Sequence, residues 1–415
     1  MNIEESFRRL EDYIVKEEYK GYDPYDALMS PVFKLPFFRT NKLVRLVSQQ
    51  VVRRLPFNVR PIVGVNKSLN PVTAGLCVQA LSYELRMKSS ERDFTTEDNE
   101  FRIEKITELV GVLERLATKG YSGICWGYDF DWDGKYISAK AFYPTVVATG
   151  IVVNGLFELN YQLSIINSQL KEQKENVELR KRIEGMILSA TDFVRKDLKK
   201  TYYGDTFCYS YSPGDEQSVL NASMKGVRIL AQAYSINGDF SLIEEAEQAV
   251  KFVVENQNAD GSWGYAKGDT RNWSDSYHTG YILECLKSFV DLTGLDKYKE
   301  PLDKGFEFFR KSFVGEDGFP KYYSNEKFPV DCTSAGQIVI TLCNFGEYSL
   351  AEKVINYMIS NMQSPNGYFY YQKGKYFTNK ISYMRWSNAW MYVAMARFNY
   401  QLSIINSERK NQKRD

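Results

Sequence analysis

Histidine is all but missing from this chain: His278 is the one example in 415 residues. That scarcity excludes a histidine-rich zinc site. The six cysteines, at positions 77, 125, 208, 285, 332 and 343, offer no substitute, because none belongs to a CxxC pair. Scattered in this way, they read as reduced and mostly buried side chains. No metal or other cofactor is called for. A charge excess is missing too. Lys and Arg number 53 against 52 Asp and Glu, a formal net charge of +1, so the chain as a whole gives no electrostatic case for nucleic acid or an acidic membrane surface. Long apolar runs are also absent. No stretch approaches the roughly eighteen apolar residues of a membrane span, and the charged N-terminal segment has no signal-peptide core. The expectation is a cytoplasmic protein without membrane insertion.

What the chain does have is aromatic residues, 15% of the total, with 30 Tyr, 25 Phe and 6 Trp. Many must fill a core. Others suit a sugar-binding cleft, since the C–H faces of sugars stack on flat rings while their hydroxyls need polar neighbours. The helical period is clear. One series of helices, starting near Val72, Pro144, Val219, Asp275, Thr333 and Arg385, is rich in small residues and apolar on several sides, the mark of buried helices. A second, amphipathic series alternates with it, over roughly 42–55, 101–118, 177–200, 240–257, 296–313 and 348–363. The repeat spacing suits two helices and a loop, the signature of a hairpin array; an open solenoid is one option, but about six hairpins favour closure into an all-α ring, an (α/α)6 toroid. Residues 1–41 read as an N-terminal arm packing on the ring, 42–404 as the ring domain, and 405–415 as a basic, solvated tail.

Related turns support the repeat. Asp260-Gly261, Asp317-Gly318 and Asn366-Gly367 each end an amphipathic helix and are followed by an aromatic residue within two positions. A further repeat is identical over nine residues: NYQLSIINS occurs at 160–168 and again at 399–407, each time at the end of an inner-series helix.

Loops leading into the inner helices must meet at one end of the ring, and polar and aromatic residues gather in them. Residues 125–143 carry Trp126, Tyr128, Asp129, Asp131 and Trp132; residues 202–217 carry Tyr211 and Asp215. Residues 263–279 carry Trp263, Arg271, Trp273, Asp275, Tyr277 and His278, and residues 376–387 carry Arg385 and Trp386. Every tryptophan lies in such a loop or in the first turns of the helix after it, which points to a ligand cleft. His278 and Tyr277 are the candidate acid/base pair, with Tyr211 as an alternative donor and Asp131 and Asp275 as supporting carboxylates. Trp126, Tyr128, Asp129, Trp132, Asp215, Trp263, Arg271, Trp273, Arg385 and Trp386 are candidates to bind the saccharide, the arginines by gripping a uronate carboxylate. Each residue also has a plainer role open to it. Asp275 and Asp215 have the look of a helix N-cap and a turn former, the arginines suit structural ion pairs, and His278 could simply be a hydrogen-bonded core residue.

The alternation of helices and the Gln257–Trp263 turn resemble the α/α-toroid class of six-hairpin glycosidases, toroidal polysaccharide lyases and sugar epimerases. The strings GYDPYDAL (21–28), PTVVATG (144–150), NASMKG (221–226), DGSWGY (260–265) and HTGYILECL (278–286) are similar to those of toroid proteins encoded beside polysaccharide biosynthesis genes. The resemblance covers nearly the whole chain. It implies a toroid fold and a carbohydrate setting, with hydrolysis, elimination, epimerisation and non-catalytic saccharide binding all open. Terpenoid cyclases share the fold more distantly, but the chain has no DxDD motif, and its nearest string, Asp129–Asp133, lies in an aromatic loop.

Overall fold

The computed structural model describes residues 2–85, 96–134, 136–169, 174–268 and 270–412. In chain order its helices are α1 (Ile3–Lys16), α2 (Pro36–Thr40), α3 (Lys42–Arg54), α4 (Pro71–Glu84), α5 (Thr96–Leu116), α6 (Val146–Gln169), α7 (Lys174–Asp192), α8 (Leu220–Asn237), α9 (Phe240–Glu255), α10 (Ser276–Thr293), α11 (Lys299–Phe313), α12 (Cys332–Asn344), α13 (Tyr348–Met362) and α14 (Trp390–Gln412). Helices α4, α6, α8, α10, α12 and α14 pack each on the next, and α14 returns to α4, so the inner ring closes.

Sequence dictates which helices go inside. Every residue of α4 is buried, as the apolar, small-residue composition of PVTAGLCVQALSYE requires. Small residues also set the approach between neighbours: a Cβ on Gly75 would lie 2.9 Å from the Val152 backbone, and one on Gly155 would lie 2.2 Å from the Gly75 carbonyl oxygen. The outer helices bury one stripe. In α9 that stripe is Leu242, Ile243, Ala246, Ala249, Val250, Phe252 and Val253. All six cysteines are buried and unpaired.

Five amphipathic segments take their expected outer places as α5, α7, α9, α11 and α13. The sixth does not. The outer position against α14 belongs to α1, which packs on α14 and α13 and is tied to the latter's end by Gln363, whose Nε2 donates to the Ser6 carbonyl at 3.0 Å. The segment expected to be outer over 42–55 is α3, which packs on the first 3-10 turn and the Trp132–Asp133 strand instead. Its sequence is amphipathic, but the ring place was already filled by α1, so periodicity alone could not place it. The C-terminal tail is also shorter than expected, because α14 continues through Gln412; residues 413–415 lie outside the described ones. The two NYQLSIINS copies fall at the C-terminal ends of α6 and α14, the two inner helices that flank α4.

Two-residue strands brace the end of the ring where the inner helices start. Ser218–Val219, before α8, pairs with Ala266–Lys267 ahead of α10. Val330–Asp331, before α12, pairs with Gln372–Lys373, which in turn pairs with Thr378–Asn379. Residues 17–70 lie across this end as a cover. Gly21 and Ser68 exchange backbone hydrogen bonds, Tyr22 bridges to Tyr383, and the Arg45 Nε of α3 donates to Asp133 at 2.6 Å.

Candidate functional site

The covered end of the ring holds a dense aromatic and charged cluster, built largely on helix N-termini. Asp275 caps α10: its Oδ1 accepts from the His278 backbone N–H at 2.8 Å. Its Oδ2 accepts from His278 Nδ1 at 2.7 Å and from Trp273 Nε1 at 3.2 Å. Those bonds fix the imidazole as the Nδ1–H tautomer and turn Nε2 outward. Nε2 makes no hydrogen bond among the described residues, and the histidine side chain is 25% exposed against 1% for Asp275. Tyr265 packs edge-on against the imidazole at 4.7 Å and stacks on Trp273 at 5.2 Å. Tyr277 lies 5.2 Å from the imidazole and 5.5 Å from Trp386, centroid to centroid.

The next inner helix repeats the device. Asp331 caps α12 through Oδ1, which accepts from the Ser334 N–H at 3.1 Å. Its Oδ2 accepts from Gln372 Nε2 at 2.6 Å and from Trp386 Nε1 at 3.3 Å. Burial pushes the Asp331 carboxyl above its ordinary range, against the pull of these hydrogen bonds. Tyr322 is half-buried close to both aspartates, and its desolvation drives the phenol well above the ordinary value.

Arg385 and Trp386 sit on a π-helical turn, Met384–Ala389, that leads into α14, a distortion often found at functional sites. Arg385 Nε donates to Asp23 of the cover at 2.6 Å. Its guanidinium lies 4.6 Å from the Tyr128 ring and 5.0 Å from that of Trp386. Beneath Tyr277, the Tyr281 hydroxyl donates to the Tyr277 hydroxyl, and Lys225 Nζ lies 3.4 Å over the Tyr281 ring. Lys225 is buried, with Glu284 at 3.8 Å, beyond hydrogen-bond reach. Burial, then the charge of Arg228, pulls the lysine down to about 8. Burial would raise Glu284 as well, but Arg228 and Lys225 hold it low. Tyr277 and Tyr211 are both pushed well above the ordinary phenol value, chiefly by burial. Either can donate a proton near neutrality and neither can serve as a base there.

Of the residues nominated from sequence, the structure brings together His278, Asp275, Tyr277, Trp273, Arg385, Trp386 and Tyr128. Tyr211 adjoins Trp132, whose ring meets it edge-on at 6.4 Å. Arg271 borders the cluster through the Tyr265 ring and Asp129 through the cavity it shares with Arg385; the rest go elsewhere. Trp126 and Trp263 are fully buried, their indole N–H groups bonded to the Leu113 and Val253 carbonyls of α5 and α9; neither offers a face to a sugar. Asp131 accepts from Lys140 at 2.7 Å and from the Ala141 N–H at 2.9 Å, away from His278. Asp215 ties a turn, accepting from Ser212 Oγ and from the Gln217 N–H. Asp129 is held under the cover by Ser68 and Asn70, lining a small polar cavity with Asp23, Asp26 and Arg385. Arg271 donates to Gln217 at 2.9 Å and lies over the Tyr136 and Tyr265 rings. Sequence reasoning missed Asp331, Tyr322 and Lys225. Asp331 had a readable signal, for Asp331–Ser334 opens α12 in the register in which Asp275–His278 opens α10.

Comparison with solved structures matches this architecture across most of the chain. A GH76 α-mannanase from Bacteroides thetaiotaomicron superposes with a TM-score of 0.57 at 13% identity, over 82% of this chain and 88% of the other. A cellobiose 2-epimerase from Bacillus thermoamylovorans gives 0.55 at 12% identity, over 81% and 88%. An unsaturated glucuronyl hydrolase specific for heparin gives 0.55 at 11% identity, over 82% and 88%. The fold is the α/α toroid. No family model and no curated protein matches the sequence. Within the toroid, the His278 cluster occupies the end at which all six inner helices begin.

Proposed function

We propose that this toroid is an enzyme acting on a saccharide, with His278 as its general acid/base. The observation that carries the reading is the Asp275–His278 pair. A carboxylate buried at a helix N-terminus holds Nδ1 and leaves Nε2 without a hydrogen-bond partner among the described residues, on a side chain that is 25% exposed beside the exposed Trp273 ring. Such an arrangement can take or give a proton at a sugar carbon or a glycosidic oxygen. Trp273, Tyr265 and Trp386 supply rings on which a sugar face can stack. Asp331, kept protonated to higher pH by its burial, is a second proton donor on the neighbouring helix. The carbohydrate enzymes that share the fold support saccharide as the substrate class, in keeping with polysaccharide metabolism in the cytoplasm. Arg385 is already occupied by Asp23, which favours a neutral sugar over a uronate.

The test is proton NMR in deuterated water of the full chain with a panel of neutral and acidic oligosaccharides. The enzyme reading expects deuterium at a sugar carbon, a new alkene signal or new reducing ends, and expects His278→Gln to lose that product while still broadening the sugar resonances. Product formation that survives His278→Gln moves the chemistry to another group. Broadening without product in the unmodified protein makes it a saccharide-binding protein instead.

A further inference from the structure

The cover contains a helix turned inside out. Along α3, Arg45, Gln49 and Arg53 stand at every fourth position. Arg45 and Gln49 are buried against Asp133, and Arg53 Nε donates to the Tyr371 hydroxyl at 3.3 Å. The polar stripe therefore faces the ring. The apolar stripe faces out, with Leu43, Val47 and Val51 exposed by 69%, 53% and 52%. A surface helix of a soluble protein has the opposite orientation. The ion pair and amide contacts with Asp133 hold this one in place. Flanking residues extend the exposed apolar surface: Phe37, Phe57 and Ile62 are exposed by 63%, 59% and 84%. Half of the exposed large apolar side chains among the described residues lie between Met29 and Ile62, far more than scattered surface apolar residues would give.

Charge then selects what covers this face. The chain is neutral overall, but from residue 27 to residue 83 it contains no Asp or Glu, while residues 34–67 hold eight Lys or Arg. Arg45, Arg53 and Arg60 point inward to Asp133, Tyr371 and Asp26. Lys34, Arg39, Lys42 and Arg54 are exposed. A second copy of this face would oppose cation to cation. Exposed Leu, Val and Phe rimmed by cations, with no anion among them, have the chemistry of a segment lying in the headgroup region of an anionic bilayer. No helix among the described residues is long and apolar enough to cross a membrane, so the contact is a surface one. We infer that the outer face of α3 and its flanking segments seats the protein on an anionic lipid bilayer. The inference rests on the cover alone and stands whatever reaction the cluster beneath it performs.

The experiment is co-sedimentation of the full chain with vesicles of phosphatidylcholine containing about one-third phosphatidylglycerol, beside vesicles of phosphatidylcholine alone. Binding is expected to the anionic vesicles, weaker to the neutral ones and weakened by about 0.5 M salt. The variant Leu43→Gln/Val47→Gln/Val51→Gln changes only exposed side chains. It is expected to keep the wild-type melting curve and to lose about ten-fold or more in partitioning. Arg39→Gln/Lys42→Gln/Arg54→Gln is expected to lose the preference for anionic lipid. Absence of vesicle binding by the unmodified chain, or undiminished binding by the triple-Gln apolar variant, overturns the inference. A dimer in sedimentation velocity that the same apolar variant dissolves also overturns it, in favour of a second copy as the cover.

Discussion

Two pairs of tryptophans occupy the same family of loops and do opposite things. Trp126 and Trp263 follow outer helices directly, and each turns its indole back to donate to the helix just left, at 2.8 Å to Leu113 and 2.9 Å to Val253. Trp273 and Trp386 come later in their loops, next to an inner helix start, and each donates to the free oxygen of a capping aspartate, at 3.2 Å to Asp275 and 3.3 Å to Asp331. The first pair seals hairpins. Trp263 lies so close to α11 that a Cβ on Gly305 would come within 2.4 Å of its ring. The second pair lines the candidate site. A tryptophan in a loop therefore says little until the partner of its N–H is known, because a buried indole must bond somewhere.

The sharpest way to break this comparison is at the aspartates. Asp275→Asn keeps a side chain able to cap α10, so folding is expected to survive, but it presents an amide where the imidazole needs a carboxylate. A fall of about 10²–10⁴ in turnover is expected, measured as kcat on whichever oligosaccharide the NMR panel identifies. Unchanged turnover would reduce the His278 pair to a structural cap. Next comes Trp263→Ala. It removes a fully buried ring and its hydrogen bond, and about 3–5 kcal/mol of stability should go with it, read by denaturant unfolding. Trp386→Ala should cost far less stability, since its ring is only partly buried. Comparable losses at both positions would erase the distinction drawn between the pairs.

A smaller effect tests whether the two site tryptophans act alike. Trp386→Phe keeps a ring for stacking and deletes the N–H to Asp331. About a ten-fold loss of turnover is expected, with a shift in the alkaline limb of the pH profile if Asp331 donates a proton. Trp273→Phe leaves Asp275 bonded to the backbone and Nδ1 of His278, just as Trp386→Phe leaves Asp331 bonded to Ser334 and Gln372, and a loss of similar size is expected.

The ring itself was legible because its signals are local and repeated. Inner helices apolar on several sides and outer helices with a single stripe announce their depth through composition alone, and all six inner helices start within a few residues of where the pattern puts them. The position of α3 was not legible. Its amphipathic pattern states that one face is buried, and the usual inference that the buried face is the apolar one fails here, because Asp133 of a distant loop captures Arg45 and Gln49. Asp275 and His278 were found because they adjoin in sequence. Asp331 escaped notice because its partners, Gln372 and Trp386, are 41 and 55 residues away. The loop position of Trp126 looked like that of Trp386, and only the hydrogen-bond partners separate them.

Carboxyl groups away from the helix starts give the last contrast. Asp275 is surrounded by donors, whereas Glu84, the last residue of α4, shares the Tyr392 hydroxyl with Glu11, at 2.7 and 3.0 Å. Burial first, and then the charge of Glu11, pushes Glu84 up to about 8, with Arg102 pulling the other way from 3.2 Å. A carboxyl raised in this way holds its proton in the folded protein at pH values where the unfolded chain, with its ordinary value of 4.5, has released it. Its contribution to stability is therefore whole below about pH 4.5 and is lost as pH rises toward about 8. Glu84→Gln is neutral throughout and removes the dependence. The unmodified protein should lose about 3–4 kcal/mol relative to Glu84→Gln between pH 5 and pH 8, the Arg102 pull being already contained in the value of about 8, seen as two unfolding midpoints that diverge with pH. Parallel midpoints would mean that Arg102 keeps Glu84 ionised, and the buried carboxyl would then join Asp275 as one matched by its donors rather than opposed by its surroundings.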